Sequence, residues 1–165
     1  MKITNNDITK GKNLFACEDG IKWAESLNGA ELTNKNVDFP YFFWAVETKC
    51  YTGKLDLDLL DYCAEKSPSS ALFHVAKHLA PEQLDYCAKK SPMSALEYTA
   101  KYLTPEKLDY CAEKEPGHAL KYAVKYLTPE QLDYCAKKEP WFALYYTAKY
   151  LTPEQLDYCE KRIGQ

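Results

Sequence analysis

Five cysteines stand at 63, 87, 111, 135 and 159, each 24 residues from the next, a regularity that invites a metal or redox reading. Equivalent helices of adjacent repeats lie about 8–10 Å apart, whereas a disulfide needs Cα atoms within about 7 Å. No Cys-x-x-Cys motif or Cys/His cluster accompanies them. They are therefore expected to be small buried hydrophobes. Cys17 and Cys50 lie outside the array, have no partner motif and take the same reading.

His74 and His78 are spaced i, i+4 and could chelate a metal, but the intervening Val75-Ala76-Lys77 lacks the glutamate of a metalloprotease helix. Two ligands alone do not complete a zinc site. Both histidines fill slots held by tyrosine elsewhere. His74 matches Tyr98, Tyr122 and Tyr146, and His78 matches Tyr102, Tyr126 and Tyr150, so they read as aromatic substitutes. Thr52-Gly53-Lys54 is the tail of a phosphate loop without its leading glycine, and no Gly-x-Ser-x-Gly elbow exists. Carboxylates such as Glu82 and Asp85 recur from unit to unit, so no unique acid and base pair stands out. The expectation is a non-enzyme with no catalytic, cofactor or metal site.

These residues are positioned by a repeat. Leu-Asp-Tyr-Cys begins at Leu60, Leu84, Leu108, Leu132 and Leu156, giving four complete units from Leu60 to Gln155 and a half unit to Gln165. The units starting at Leu84 and Leu132 are identical at 19 of 24 positions, the mark of recent duplication. Two prolines punctuate each unit, as at Pro105 and Pro116, and proline is favoured in the first turn of a helix and poor in its interior. Each unit is thus expected to fold as two short helices.

Thr104-Pro105-Glu106, Thr128-Pro129-Glu130 and Thr152-Pro153-Glu154 supply a threonine cap and acidic charge for the first helix, and the latter two complete capping boxes with Gln131 and Gln155. The second helix starts at Ser67-Pro68, Ser91-Pro92, Glu115-Pro116 and Glu139-Pro140, with serine the better cap, and is expected to end near Leu79, Leu103, Leu127 and Leu151.

On a helical wheel Leu108, Cys111 and Ala112 share one face of the first helix, and Leu120, Val124 and Leu127 one face of the second. Helices of about ten residues are marginal alone, so neighbouring hairpins must stack into a common core. The predicted fold is all-α: an α-solenoid of four and a half repeats over 54–165 behind a small helical N-terminal cap over 1–53. That cap is expected to hold helices near 17–27 and 40–50, the first ended by Asn28-Gly29 in a left-handed turn. Its aromatics would cover the first repeat, and Glu160-Lys161-Arg162 would give the far end a solvated face.

Against this constant background, three slots of the second helix vary, at i, i+1 and i+4. They hold Ser69, Ser70, Phe73; Met93, Ser94, Glu97; Gly117, His118, Lys121; and Trp141, Phe142, Tyr145. The wheel groups them on one exposed strip, shared at i+8 by Lys77, Lys101, Lys125 and Lys149. Solenoids offer such strips for recognition, so Phe73, Met93, Glu97, Lys101, His118, Lys121, Lys125, Trp141, Phe142, Tyr145 and Lys149 are the candidate partner-binding residues. Two readings of the Trp141/Phe142/Tyr145 cluster stay open: interfaces are enriched in such rings, and rings also shield the end of an array. The tyrosines at 98/102, 122/126 and 146/150, with Tyr86, Tyr110 and Tyr134, are expected to stack along the array as packing.

Composition narrows the class of partner. A chain of 165 residues with 46% apolar and 27% charged residues can bury a core and is not a disordered one. No apolar run approaches the ~18–20 residues that span a bilayer, and the start lacks the apolar stretch of a secretory signal. Seven cysteines is an odd number for a secreted disulfide framework, so the expected setting is the reduced cytoplasm. A net charge of −3 disfavours a nucleic-acid clamp, leaving a protein partner as the first reading and a repeat that reads nucleic acid as the alternative.

The unit Leu-Asp-Tyr-Cys-Ala-x-Lys-x-Pro-x-x-Ala-Leu with Thr-Pro-Glu, over about two thirds of the chain, resembles short helical-hairpin repeats of small bacteriophage and mobile-element proteins. The segment Ala16-Cys17-Glu18-Asp19-Gly20-Ile21-Lys22-Trp23-Ala24 is similar to an N-terminal motif of such proteins. The resemblance implies a small intracellular accessory protein that inhibits a host defence system, an anti-CRISPR role included. It supplies no functional residues.

Overall fold

The computed structural model describes residues 2–14, 16–33, 35–48, 55 and 57–164. Among them the protein is all-α, its only β contacts being the isolated bridges Lys2 to Glu31 and Ile3 to Asn28. Cys50 and Thr52-Gly53-Lys54 lie outside the described residues. No helix among the described residues is long and apolar enough to cross a membrane. The chain forms two compact units, Met1–Gln83 and Leu84–Gln165, so the N-terminal helices and the first repeat belong to one body.

In the first unit, helix α1 spans Asn5–Asn13, α2 Glu18–Ser26 and α3 Phe39–Glu47. Helix α1 was not among the sequence expectations, yet Thr4 and Asp7 close a capping box at its start. Gly29 is left-handed, with φ 77°, and its N–H donates to Ile3 O at 2.8 Å; the cap of α2 itself falls earlier, on Leu27. The first repeat follows as α4 (Leu57–Lys66) and α5 (Pro68–His74). Phe39 stacks on Tyr62 at 5.7 Å and Phe43 on His74 at 5.1 Å, so these two rings of α3 cover the first repeat as expected.

The remaining first helices are α6 (Pro81–Lys90), α8 (Pro105–Lys114), α10 (Pro129–Lys138) and α12 (Pro153–Ile163). Thr104, Thr128 and Thr152 cap as predicted, the last two in complete capping boxes. One residue joins each first helix to its second. At Ser67, Ser91, Glu115 and Glu139 the backbone N–H donates to the carbonyl of Cys63, Cys87, Cys111 or Cys135, and the carbonyl accepts the N–H of Ala71, Ala95, Ala119 or Ala143, all at 2.8–3.0 Å. The proline that follows excludes the α conformation at this corner residue, which sits at φ −130 to −145° and ψ 62 to 69°. Neither serine caps through its side chain as expected. Ser67 and Ser91 pair instead with Ser70 and Ser94 through their hydroxyls, at 2.9 and 3.1 Å.

The second helices are shorter than predicted. Helix α5 ends at His74, α7 (Pro92–Ser94) and α9 (Pro116–His118) pass into π turns over Ala95–Thr99 and Ala119–Ala123, and α11 runs Pro140–Thr147. All four break at one slot, Val75, Thr99, Ala123 or Thr147, where φ lies between −113 and −130° and ψ between 3 and 10°. A 3₁₀ turn then completes the unit, as in Ala76–His78 and Ala148–Tyr150. The buried line consequently runs through Ala119, Leu120 and Ala123, leaving Val124 and Leu127 half-buried.

Within the second unit the first helices α8, α10 and α12 pack in one row and the second helices in another, the arrangement expected of a helical repeat. Thiols link neighbours along the first row. Cys111, Cys135 and Cys159 donate to the carbonyls of Ala88, Ala112 and Ala136, at 3.7 to 3.9 Å. The residue before each Leu-Asp-Tyr-Cys reaches the aspartate of the preceding unit: Gln131 to Asp109 and Gln155 to Asp133 at 3.1 Å, with Lys107 to Asp85 at 3.0 Å serving the same junction. The first unit holds the same link from Gln83 to Asp61, at 2.6 Å. Alanine fills the buried slot after each array cysteine at 64, 88, 112 and 136, and the last unit carries exposed Glu160 there, which closes the row with a solvated face.

The five array cysteines are buried, as expected, whereas Cys17 is exposed. Burial pushes the thiols of Cys87 and Cys111 from the ordinary 9.0 up to about 11, and that of Cys135 to about 12. An unfolded chain ionises these thiols first. The stability they contribute is therefore complete below pH 9 and declines between pH 9 and about 11 to 12. Urea midpoints should fall with pH over that window, and the Cys111→Ala/Cys135→Ala chain should show a shallower fall than the native sequence.

Candidate recognition surface

The variable slots divide by where they point. Phe73 in the first unit is 50% exposed, and in the second unit Met93 is 44%, Trp141 52% and Tyr145 68% exposed. Lys101, Lys121, Lys125 and Lys149 are also exposed, whereas Glu97, His118 and Phe142 are half-buried. The middle slot does not belong to a free surface. Ser94 is 3% exposed, and Phe142 lies against Gly117 of the preceding unit, where an added Cβ would meet three ring carbons at 3.4 Å. The strip drawn on the wheel is corrected accordingly: Ser69, Phe73, Met93, Lys121, Trp141 and Tyr145 face solvent, Gly117 of the first slot and Ser94 of the middle slot are buried, and Phe142 packs on the preceding repeat. Gly117 and Phe142 form a hole and its knob, so part of the variation is complementary packing.

Around Phe142 the rings assemble in order. Trp141 and Tyr145, one turn apart, stack with centroids 5.1 Å apart and planes 7° from parallel. Phe142 meets Trp141 edge-on at 5.4 Å and Tyr146 at 5.6 Å, and Tyr145 meets Tyr146 edge-on at 4.7 Å. The result is an inner pair, Phe142 and Tyr146, that carries an outer pair of exposed rings. Phe73 stands edge-on to His74 at 4.3 Å in its own unit.

Lysines and tyrosines interleave. Lys121 Nζ lies 4.6 Å from the Tyr122 ring centroid and 5.5 Å from that of Tyr146. A hydrogen bond to Tyr122 leads in holding this ammonium charged, burial opposes it, and Tyr122, Tyr146 and Glu97 add attraction. Lys101 and Lys149 lie over the neighbouring Tyr102 and Tyr150 at 4.6 and 5.0 Å. Because each second helix breaks before its lysine, the i+8 position on the wheel does not transfer to these side chains. Tyr86, Tyr110 and Tyr134 each pair with the lysine four residues on, at 5.6 to 5.9 Å, so the first-helix rings form lysine–tyrosine pairs where tyrosine stacks were expected.

The histidines are engaged locally. His74 Nδ1 is 2.9 Å from Glu47 Oε2, and His118 Nδ1 is 3.3 Å from Glu115 Oε2. His74 ends helix α5 and His78 belongs to the following 3₁₀ turn, so their spacing does not place them on one helical face. Among the described residues no group of three or more His, Cys, Asp or Glu side chains could hold a metal ion.

A scan of protein-family models, a search of curated proteins and a search of solved structures find no match to this chain. The geometry separates support from display within the aromatic cluster. Phe142→Ala should cost about 2–3 kcal/mol by leaving a gap over Gly117, while Trp141→Ala and Tyr145→Ala should each cost about 1 kcal/mol or less. Urea denaturation of the three single variants measures the split.

Proposed function

We propose that the protein is a non-enzymatic protein-binding module, a solenoid-type helical repeat whose second helices dock a partner protein. The observation that carries this reading is the Trp141 and Tyr145 pair: two stacked rings, 52% and 68% exposed, at variable positions of an otherwise constant unit. Large exposed aromatics on a rigid base are the residue types that dominate interface energetics. Phe142 and Tyr146 hold the pair from beneath, so its geometry precedes binding and little side-chain freedom is lost on contact. Met93 and Lys121 extend the same display to the two preceding units. The resemblance of the repeat to those of phage and mobile-element proteins suggests a cytoplasmic host defence protein, such as a CRISPR effector, as the occupant that is blocked.

A nucleic-acid reader is the alternative, and the charge pattern weighs against it. The net charge is −3, and the ammonium groups of Lys101, Lys121 and Lys149 lie against tyrosine rings. Affinity capture from cells of the native host tests the proposal. The partner should be retained by the native sequence and by the first-helix control Lys114→Ala, and lost from Trp141→Ala/Tyr145→Ala with that variant still folded. Retention by the double variant overturns the assignment of the surface. Micromolar binding of single- or double-stranded oligonucleotides at low salt, fading as salt rises, would favour the alternative instead.

A further inference from the structure

The three N-terminal helices line a half-open cavity of about 340 Å³ within the first unit. Ile8 and Gly11 of α1, Gly20 and Trp23 of α2, and Tyr41 and Trp44 of α3 line it, and exposed Cys17 and Pro40 mark its mouth. The sequence predicts that the aromatics of this region lie on the first repeat. Phe39 and Phe43 do so, while Trp23, Tyr41 and Trp44 turn to the cavity.

The walls are shaped by small residues held close to large ones. Glycine weakens a helix, yet Gly11 and Gly20 both sit inside one. A Cβ on Gly20 would stand 3.2 Å from Tyr41 Cδ1 and 3.3 Å from Cys17 Sγ, and one on Gly11 would stand 3.4 Å from Ile21 Cδ1. The glycines let α1 and α2 approach their neighbours without a side chain entering the space between them. Trp23 and Tyr41 meet at 5.9 Å, and Trp23 Nε1 donates to Asn36 O at 3.2 Å, which fixes the indole.

The polar inventory defines the ligand. Among the described residues Asp7 is the one charged residue on the wall, and its carboxylate already accepts from Thr4 N–H at 2.9 Å and from Thr4 Oγ1 at 2.6 Å. Among the described residues no lysine or arginine lines the cavity to balance an anion, and the engaged carboxylate does not answer a cation. The remaining wall is aliphatic and aromatic. A dry apolar cavity of about 150 Å³ holds benzene, so this volume suits roughly two rings. We propose that the cavity is a binding site for a small uncharged aromatic molecule of about two rings, seated against Trp23, Tyr41 and Trp44.

N-phenyl-1-naphthylamine, a neutral fluorescent probe of this class, tests the site on the full chain. The sequence holds three tryptophans, and two of them line the cavity. In a Trp141→Phe background, tryptophan emission therefore reports on the cavity alone. Saturable binding of one probe per chain, with energy transfer from tryptophan, is expected, and Ala24→Phe should weaken it at least tenfold by filling the space. Ala45→Leu serves as the second filling variant should the first disturb folding. Saturating probe should also slow alkylation of Cys17 at the mouth at least fivefold, resolved by peptide mass spectrometry on the unsubstituted chain. Binding that never saturates, binding unchanged in a folded filling variant, or Cys17 reactivity indifferent to the probe would each overturn the proposal.

Discussion

The proline that opens each of the four second helices fixes the geometry on which the repeats depend. It bars the preceding residue from the α conformation, so Ser67, Ser91, Glu115 and Glu139 become corners, yet no hydrogen bond is forfeited there. Each corner donates backward to a cysteine carbonyl and accepts from an alanine N–H four residues ahead. A one-residue junction leaves two short helices no freedom to swing. The cysteine is bound into the same device, because its thiol reaches the preceding unit while its carbonyl receives the corner. A bulkier side chain at the cysteine would meet the packed core, at a typical cost of about 1–3 kcal/mol for an overfilled site.

Coupling between units is spread over weak contacts of different kinds. The thiol–carbonyl contacts are long for hydrogen bonds, and the Gln131 to Asp109 and Gln155 to Asp133 bonds lie at or near the surface. Each is worth little alone, and the apolar line through Leu96, Ala119, Leu120 and Ala143 supplies the larger share of the burial. Substituting lysine for glutamine at 107 keeps the aspartate link as an ion pair, which explains why that slot varies without disturbing the packing. Variation at Trp141 and Tyr145 is of another sort, because both rings are largely exposed.

Much of the architecture was legible because its causes are local. The threonine caps, the two prolines per unit and the buried cysteines each follow from one residue and its immediate neighbours. The helix breaks were not legible: the slot holds Val75, Thr99, Ala123 and Thr147, and no single side chain among these dictates a break. Thr99 and Thr147 each donate a hydroxyl to the carbonyl four residues back, but Val75 and Ala123 break without one. The role of the middle variable slot was hidden for a related reason. A wheel ranks directions around one helix and does not say which direction meets the next repeat, so it left binding and packing both open for Phe142. Helix α1 carries a legible start in its Thr4/Asp7 capping box, whereas the N-terminal cavity arises only where three helices converge.

Hydrogen exchange at the corner amides tests the central claim most directly. If one residue serves both helices, the N–H groups of Ser91, Glu115 and Glu139 exchange as slowly as those of the helical residues beside them. Exchange at the rate of exposed loop amides, with the flanking helices still protected, would contradict the one-residue junction and the rigid display built on it.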